Sequence, residues 1–378
     1  MKEYAIFGAG EYGKRAAASY SFEKIVCFID NDERKIGTTF LGLPILSLTE
    51  YKEKYREVPI IIALRRAKEV KEQLELEEIH NYTIFWGEQE QKTLYPEDIL
   101  VFNPYEKGNA FWTEPDIVTR EYYDLYVEDL YKKNEIFESV EIETYNRCNG
   151  GCSFCPVSVK NDIRVEMKMK ESVFYKIIDE LSEMDYRGRV ALFSNNEPFL
   201  DDRIIDFHRY ARKKLKYARM HLYTNGTKLS LEMYKEIIEL LDELVIDNYN
   251  QNLELIKNNK IIKEYCEENP ELIKKTTIVL RKIDEVLSSR GGTAPNKEKN
   301  EEYMSHRCSL PFVQLIIRPD GKVSLCCNDP LGLVTMGDVS KNSLRDVWYN
   351  EKYQELRKKI MSGRGNITRC RYCDFLCI

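Results

Sequence analysis

Three cysteines lie close together near the middle of the chain, in the run CNGGCSFCP that begins at Cys148. Cys152 and Cys155 follow after three and two intervening residues, and a β-strand pattern precedes the run. Three thiolates with this spacing suit one face of an iron–sulfur cubane. Because a [4Fe–4S] cluster normally has four thiolate ligands, a set of three leaves one iron open to a small molecule. The alternative is a zinc site with a distant fourth ligand, although zinc sites favour paired C-x2-C elements.

The other cysteines also indicate metal binding. The sequence has 11 cysteines, an odd number, and its first residues lack a signal-peptide pattern, so we expect neither secretion nor a disulfide framework. Six of them lie between residue 308 and the end of the chain, whereas Cys27 and Cys266 stand alone. Clustered thiols in a reducing compartment indicate a metal, and we expect the protein to be cytoplasmic.

Composition excludes several classes of protein. A chain of 378 residues with 43% hydrophobic and 32% charged residues is typical of a globular protein with two or three domains. No apolar run approaches the roughly 18 residues needed to cross a bilayer, so we predict no membrane span. The formal net charge of −6 argues against nucleic acid as the main partner.

A regular alternation of strand and helix patterns must position the central cysteines. The predicted strands are 140–144, 190–193, 221–224, 244–246 and 277–280. Helical patterns lie between most of them, and this succession is typical of a full or partial β/α barrel. In such a barrel the loops at the carboxyl ends of the strands carry the chemistry, and the cysteine run directly follows the first of these strands.

The first 90 residues contain a second alternating pattern, which predicts a small doubly wound parallel sheet. Gly8, Gly10 and Gly13 form a G-x-G-x-x-G motif between the first strand and a helix, and Asp30 ends the second strand. In this context the glycines permit a tight turn and a close phosphate, and the aspartate binds a ribose. The alternative is a motif that only packs against the rest of the chain.

The central cysteine run, placed at the start of a β/α series, resembles the signature of the radical S-adenosylmethionine (SAM) superfamily. Two further motifs support the resemblance, which covers residues 139–378. The second strand leads into Asn-Asn-Glu197-Pro, where the family has Gly-Gly-Glu-Pro, so both glycines are replaced. The third strand ends in Thr224-Asn225-Gly, which matches an element of many relatives.

The resemblance implies a cofactor site. Cys148, Cys152 and Cys155 are expected to hold a [4Fe–4S] cluster whose open iron binds the amine and carboxylate of SAM. The other residues expected to contact the cofactor are Phe154, near the adenine, Glu197, at the ammonium group, Thr224 and Asn225. In this family one electron cleaves the SAM sulfonium, and the resulting 5′-deoxyadenosyl radical abstracts a hydrogen from the substrate.

The carboxy-terminal cysteines resemble the SPASM extension of the same family, or its shorter twitch form, in which a hairpin and a helix hold auxiliary [4Fe–4S] clusters. A full SPASM extension binds two clusters, but too few cysteines follow Cys373 for a second one. The expected ligands of a single auxiliary cluster are Cys308, Cys326, Cys370 and Cys373. Cys327 and Cys377 are alternative ligands, and structural zinc is the alternative occupant.

These resemblances predict an α/β fold with three parts: an N-terminal Rossmann-like parallel sheet, a partial (β/α)6 TIM-type barrel and a small C-terminal α+β twitch/SPASM extension. The Rossmann-like part resembles domains attached to sugar-modifying enzymes of surface-glycan pathways, which implies a bound nucleotide or nucleotide sugar. The predicted bounds are 1–90 for this nucleotide-binding domain, 91–137 for a connector with a docking helix, 138–304 for the barrel and 305–378 for the extension.

The resulting hypothesis is a radical SAM oxidoreductase that acts on a small-molecule substrate, namely a sugar, a nucleotide sugar or a similar polar metabolite. The auxiliary cluster is expected to aid the oxidation, and the resemblance implies a flavodoxin- or ferredoxin-type electron donor. Candidates for a general base are Asp247, Tyr249, Arg290 and His306. Two alternatives stay open: a SPASM enzyme that modifies a ribosomal peptide, and a non-catalytic iron–sulfur or zinc scaffold.

Overall fold

A computed structural model of the chain describes residues 3–64, 67–86, 99–106 and 120–375. The chain divides into two compact units. The first comprises Met1–Lys92 and Asp116–Tyr126, and the second comprises Thr93–Pro115 and Val127–Ile378. Within the described residues, no helix is both long enough and apolar enough to cross a lipid bilayer.

The first unit contains a six-stranded sheet with helices. Its strands are β1 (Tyr4–Phe7), β2 (Ile25–Ile29), β3 (Thr39–Phe40), β4 (Leu43–Leu46), β5 (Ile60–Ile62) and β6 (Tyr82–Ile84), and its helices are α1 (Glu11–Ser19), α2 (Leu48–Tyr55) and α3 (Ala67–Leu76). The strand order is β3-β4-β2-β1-β5-β6, and every neighbouring pair except β3–β4 is parallel. This order confirms the predicted Rossmann-like sheet. The prediction lacked β3, which has only two residues, and β4, in which Pro44 interrupts the strand pattern.

Both faces of this sheet are buried, which explains why its central strands are continuously apolar. Phe7 and Ile29 pack in one core cluster with the inner side of α3. Ile6 and Phe28, the alternate residues of the same two strands, pack in a second cluster with α1. The period of two along each strand therefore divides its side chains between two layers of core.

The second unit contains a nine-stranded sheet. Its strands are β7 (Val101–Phe102), β8 (Ser139–Ile142), β9 (Arg189–Ala191), β10 (Arg219–Thr224), β11 (Glu243–Tyr249), β12 (Thr276–Arg281), β13 (Gln314–Ile317), β14 (Lys322–Ser324) and β15 (Thr335–Asp338). Its helices are α4 (Arg120–Lys133), which begins in the first unit, α5 (Glu171–Glu183), α6 (Ile204–Lys214), α7 (Leu231–Ile238), α8 (Lys257–Glu268), α9 (Leu310–Val313), α10 (Leu344–Trp348) and α11 (Glu351–Met361).

The sheet order β15-β14-β13-β8-β9-β10-β11-β12-β7 combines a barrel part with a hairpin part. All pairs from β13 through β8 to β7 are parallel, and α5, α6, α7 and α8 connect strands β8 to β12 in turn. The pairs β13–β14 and β14–β15 are antiparallel. The predicted partial barrel with an α+β extension is thus confirmed.

One strand comes from a stretch that the sequence did not predict to be ordered. Val101 and Phe102 form β7, which pairs in parallel with Ile278 and Val279 of β12. Phe102 also packs against Val245 and Val279 in a small buried cluster. Residues of the predicted connector therefore supply the last strand of the barrel sheet.

Candidate metal centres

The loop that carries the central cysteines leaves the end of β8, and a glycine provides room between two of the thiols. A Cβ atom at Gly150 would lie 3.3 Å from Cys148 Sγ and 3.7 Å from Cys152 Sγ. The Gly150 amide donates a hydrogen bond of 3.3 Å to Cys148 Sγ. The three thiols of Cys148, Cys152 and Cys155 are close enough for a charge on one to affect the pKa of another. The structure therefore brings the three predicted thiols close to one another, with Gly150 beside two of them.

Burial sets the protonation of these thiols in the metal-free chain. It raises the pKa of Cys148 to about 12 and that of Cys152 to about 12. Both are therefore protonated at neutral pH until a metal ion displaces the proton. No three histidine, cysteine or acidic side chains among the described residues stand close enough to hold a single metal ion. A cubane fits more widely spaced thiols, because each one binds a different iron atom.

Glu197 lies just after β9 and connects two loops of the site. It is 1% exposed, and its carboxylate accepts hydrogen bonds from Thr224 Oγ1 at 2.7 Å and from the Asn225 amide at 2.8 Å. The Phe199 amide donates a third bond at 3.2 Å. These three donors favour the ionised carboxylate, but the cost of burial is larger and raises its pKa to about 7. All of these partners belong to the protein, so in this structure Glu197 fixes the Thr-Asn-Gly loop.

The Thr-Asn-Gly loop is in turn tied to the cysteine loop. Asn225 Nδ2 donates to Asn149 Oδ1 at 3.0 Å, and Asn149 Nδ2 donates to Thr227 Oγ1 at 2.8 Å. Gly226 has a φ of +74°, and a Cβ there would lie 1.9 Å from Asn259 Oδ1, so only glycine fits. Predicted residues from the ends of β8, β9 and β10 thus form one hydrogen-bonded group.

Aromatic and charged residues of β11 and β12 lie beside the cysteine loop. Phe154 is buried, and its ring centroid is 5.9 Å from that of Tyr249. Asp247 pairs with Arg281, with 3.5 Å between Oδ1 and Nε, and burial raises the pKa of Asp247. Asp247 and Tyr249 both lie within electrostatic range of Cys152. Two of the four general-base candidates therefore lie near the predicted cofactor site.

The other two general-base candidates lie in the loop after β12 and just before Cys308. Arg290 has a φ of +49° and lies within electrostatic range of Glu141 on β8. His306 packs beside Tyr303, with 5.3 Å between the ring centroids. The structure therefore brings Arg290 toward the barrel strands.

An arginine with a largely buried side chain, which the sequence analysis missed, anchors the segment after the cysteine loop. Arg164 forms an ion pair with Glu143 at 2.9 Å and a second one with Asp162 at 3.0 Å. Its guanidinium also donates to the carbonyl oxygens of Asn146, Asn195 and Pro330. No motif could reveal this role, because most of its acceptors are distant in sequence and three are backbone atoms.

The four cysteines predicted to bind the auxiliary cluster are buried and mutually close. Cys326 lies within electrostatic range of Cys308, Cys370 and Cys373, and burial raises its pKa well above the usual value. Cys370 and Cys373 lie on one short turn, in which the Cys373 amide donates to the Cys370 carbonyl at 3.0 Å. Cys327 is also within range of Cys326 but is less buried than the four. Cys377 lies outside the described residues.

A second buried arginine, also missed from the sequence, holds the segments that carry these cysteines. Arg364 is fully buried, and its guanidinium donates to the carbonyl oxygens of Arg307 and Cys373. These carbonyls belong to a neighbour of Cys308 and to Cys373 itself. Arg364 therefore connects the first and last parts of the tail through backbone acceptors, which leave no trace in the sequence pattern.

Hydrogen bonds also join the segment around Cys327, which we call the auxiliary loop, to β8 and to the loop after β9. Asn195, which stands at a glycine position of the family motif, donates from Nδ2 to the Cys327 carbonyl at 3.4 Å. The Cys327 amide donates to Gln314 Oε1 at 3.1 Å, and Gln314 Nε2 donates to Glu141 Oε1 at 2.8 Å. The departure from the glycine pair thus coincides with a contact between the loop after β9 and the auxiliary loop.

In the first unit, the glycine motif forms a tight turn between β1 and α1. Gly8 has a φ of +118°, and a Cβ at Gly13 would lie 1.9 Å from the Gly8 carbonyl oxygen, whereas one at Gly10 would contact nothing within 4 Å. Asp30 does not face open space: its Oδ2 accepts from the Ala9 amide and from Lys35 Nζ, both at 2.9 Å. The aspartate predicted to bind a ribose therefore holds the glycine turn in this structure.

Family models match most of the chain. The model of the radical SAM superfamily matches residues 142–286, and that of the SPASM iron–sulfur cluster-binding domain matches residues 308–374. A third model, named C2185-like, N-terminal, matches residues 1–85. The first two matches contain all seven cysteines assigned to clusters. Together with the arranged thiols, they establish a SAM-binding [4Fe–4S] site and an auxiliary cluster site.

Individual proteins show similarity over different parts of the chain. The S-adenosyl-L-methionine-dependent 2-deoxy-scyllo-inosamine dehydrogenase of Niallia circulans is 28% identical over 244 residues, which cover 64% of this chain and 94% of that protein. The redox-sensing transcriptional repressor Rex of Geobacillus kaustophilus (strain HTA426) is 42% identical over 68 residues, which cover 16% of this chain and 32% of the repressor. The crystal structure of BtrN in complex with AdoMet and 2-DOIA matches with a TM-score of 0.55 and 24% identity, over 64% of this chain and 94% of BtrN. That likeness supports the barrel fold.

Proposed function

Because this chain is a radical SAM enzyme with a carboxy-terminal SPASM-type extension, we propose that it oxidises an alcohol group of a sugar, a nucleotide sugar or a similar small polar metabolite. With a [4Fe–4S] cluster and SAM bound, the site of Cys148, Cys152 and Cys155 would supply a 5′-deoxyadenosyl radical for the removal of a hydrogen atom from carbon. Completing the oxidation to a ketone requires the loss of one proton and one further electron. An auxiliary cluster suits the role of acceptor for that electron.

The observation that carries this proposal is the difference between the two cysteine sets. The first set has three thiols and leaves an iron for SAM, whereas Cys308, Cys326, Cys370 and Cys373 provide a full set of four. A cluster with four thiolates has no open iron for a substrate, so electron transfer is the function it suits. The link from Asn195 to the Cys327 carbonyl places the auxiliary loop against the loop after β9.

Similarity to a named dehydrogenase supports the same class of substrate. The relative from Niallia circulans acts, by its name, on 2-deoxy-scyllo-inosamine, and the match covers 94% of its length. The barrel of this chain offers polar groups suited to hydroxyl-bearing ligands, including the ion pair of Asp247 and Arg281. Glu141 is a further polar group on β8, and it accepts a hydrogen bond of 2.7 Å from Ser194 Oγ.

The test uses substrates with deuterium on the carbinol carbons. The reconstituted enzyme is incubated anaerobically with SAM, dithionite and a panel of deuterated aminocyclitols, sugars and nucleotide sugars. The masses of the products are then measured by mass spectrometry. We expect one class to transfer deuterium to 5′-deoxyadenosine and to yield a product that has lost two hydrogens. A product with the same elemental composition as the substrate would indicate rearrangement and contradict oxidation. Deuterium transfer from none of the panel would contradict the substrate class.

We further propose that the first unit binds a nucleotide or nucleotide sugar at the Gly8–Gly13 turn, with Lys35 beside it. The support is the sheet order and the open space at Gly10. The variant Gly10→Asp tests this site. A Cβ at position 10 would contact nothing within 4 Å, and the backbone φ of −153° is one that any residue adopts. The new carboxylate would repel a phosphate. We expect uridine diphosphate sugars or NAD⁺ to raise the melting temperature of the native chain but not of the variant. Equal shifts in both, or none in either, would contradict this site.

A further inference from the structure

The segment directly after the cysteine loop exposes apolar side chains. Four of them, Val159, Ile163, Val165 and Met167, which we call the apolar strip, are 60%, 77%, 81% and 40% exposed. The strip lies within nine residues of sequence, whereas exposed apolar residues elsewhere in the described chain are more scattered. Grouped apolar side chains on a surface typically mark a contact with another molecule.

The strip is held in a defined conformation. Arg164, between two of its members, turns inward to its buried ion pairs with Glu143 and Asp162. Asn146 Nδ2 donates to the Val165 carbonyl at 2.7 Å, and the Met167 amide donates to Asn146 Oδ1 at 2.8 Å. The apolar side chains therefore stay exposed on a segment whose backbone is fixed, as a docking surface requires.

The strip also contacts the loop that holds the SAM-binding cluster. The Val159 amide donates to the Gly150 carbonyl at 3.0 Å, and Asn161 Nδ2 donates to the Cys155 carbonyl at 3.1 Å. Cys155 itself is only partly buried. A protein bound on the strip would thus lie next to a ligand of this cluster, and electron transfer slows steeply with the distance between redox groups.

Charge identifies the kind of partner. Residues 147–170 contain more basic than acidic residues, although the whole chain has a net charge of −6. Several of these charges are paired within the protein: Arg164 with Asp162, Arg147 with Asp162 and Glu166, and Lys168 with Asp202. Two further lysines are exposed and form the basic rim of the strip: Lys160, next to Val159, and Lys170, three residues beyond Met167. A basic rim around an apolar centre complements an acidic protein with an apolar patch of its own.

We propose that the apolar strip is the docking surface for the protein that reduces the SAM-binding cluster, an acidic protein with a one-electron cofactor. The donor loses one electron and the cluster gains it, and no proton or chemical group crosses the interface. This inference rests on the radical SAM chemistry and not on the identity of the substrate. Formation of 5′-deoxyadenosine without substrate therefore tests it independently of the proposed oxidation.

The experiment compares two sources of electrons. The double variant Ile163→Asp/Val165→Asp and the native enzyme are assayed for 5′-deoxyadenosine, once with dithionite and once with reduced flavodoxin and its reductase. We expect the flavodoxin-supported rate to fall about tenfold or more in the variant, because two apolar anchors become charged, with an unchanged dithionite-supported rate. Leu76→Asp, which alters an 85% exposed leucine of the first unit, is the matched control and should change neither rate.

A second pair of substitutions tests the basic rim. Lys160→Glu/Lys170→Glu should raise the flavodoxin concentration needed for half-maximal rate and weaken its dependence on salt between about 0.05 and 0.5 M. An unchanged flavodoxin-supported rate in both double variants would overturn the proposal. A parallel loss of the dithionite-supported rate would also overturn it, since the strip would then be structural. So would a native dimer that the apolar variant converts to monomers, because the strip would then bind a second copy.

Discussion

Replacing Cys152 by alanine is expected to abolish 5′-deoxyadenosine formation and to lower the iron content from about eight to about four atoms per chain. The first set has only three thiols, so the loss of one leaves too few ligands to retain a cluster. Cys152 is buried beside Cys148. Iron analysis after anaerobic reconstitution, followed by chromatography of the nucleoside, measures both effects.

Cys27→Ala provides the matched control for this experiment. Cys27 is also buried but lies in β2 of the first unit, and burial raises its pKa to about 12, which makes it an unreactive core residue. We expect the control to keep its iron and its SAM cleavage. Full SAM cleavage in Cys152→Ala, or loss of cleavage in Cys27→Ala, would refute the assignment of the first site.

Replacing Cys370 by alanine is expected to separate the two functions of the enzyme. The auxiliary cluster should be lost, which again lowers the iron content to about four atoms, while SAM cleavage in the absence of substrate continues. Product formation should fall to background, because the substrate radical no longer has an electron acceptor. The measurements are iron analysis, 5′-deoxyadenosine without substrate, and product yield with whichever deuterated substrate transfers its label.

The pair Cys326→Ala and Cys327→Ala distinguishes adjacent thiols in the same site. Cys326 is buried and lies within range of Cys308, Cys370 and Cys373, whereas Cys327 is less buried. We expect Cys326→Ala to behave like Cys370→Ala and Cys327→Ala to keep the iron of the native chain. The opposite result would make Cys327 the ligand. If Cys370→Ala retained full product formation, the auxiliary cluster would not be the electron acceptor.

The sequence predicted those parts of the site that depend on local order. Cysteine spacing and the position of a motif after each successive strand are properties of short segments, and parallel strands bring their carboxyl ends to one edge. For that reason the residues near Cys148, Glu197 and Asn225 could be expected to meet from the order of motifs and strands alone. The Rossmann-like sheet followed from the same alternation of strands and helices.

What the sequence did not predict depends on contacts between distant segments. Strand β7 has only two residues, too few for any periodicity, and it exists because β12 offers a free edge. In the sequence, Arg164 and Arg364 cannot be distinguished from exposed charged residues. Their carbonyl acceptors come from segments that only the fold brings beside them. Asp30 matched a ribose-binding pattern, yet its carboxylate bonds the Ala9 amide, 21 residues away.

Strand β7 also decides how this protein can be divided. Val101 and Phe102 belong to the barrel sheet, although residues 120–126, which follow them in the chain, belong to the first unit. Deleting all residues before β8 would therefore remove the strand that pairs with β12. The edge of β12 would then expose unpaired backbone groups and promote aggregation. The two units are not interchangeable modules joined by one linker, and a recombination event that exchanged the amino-terminal unit would have to leave residues 99–106 with the barrel.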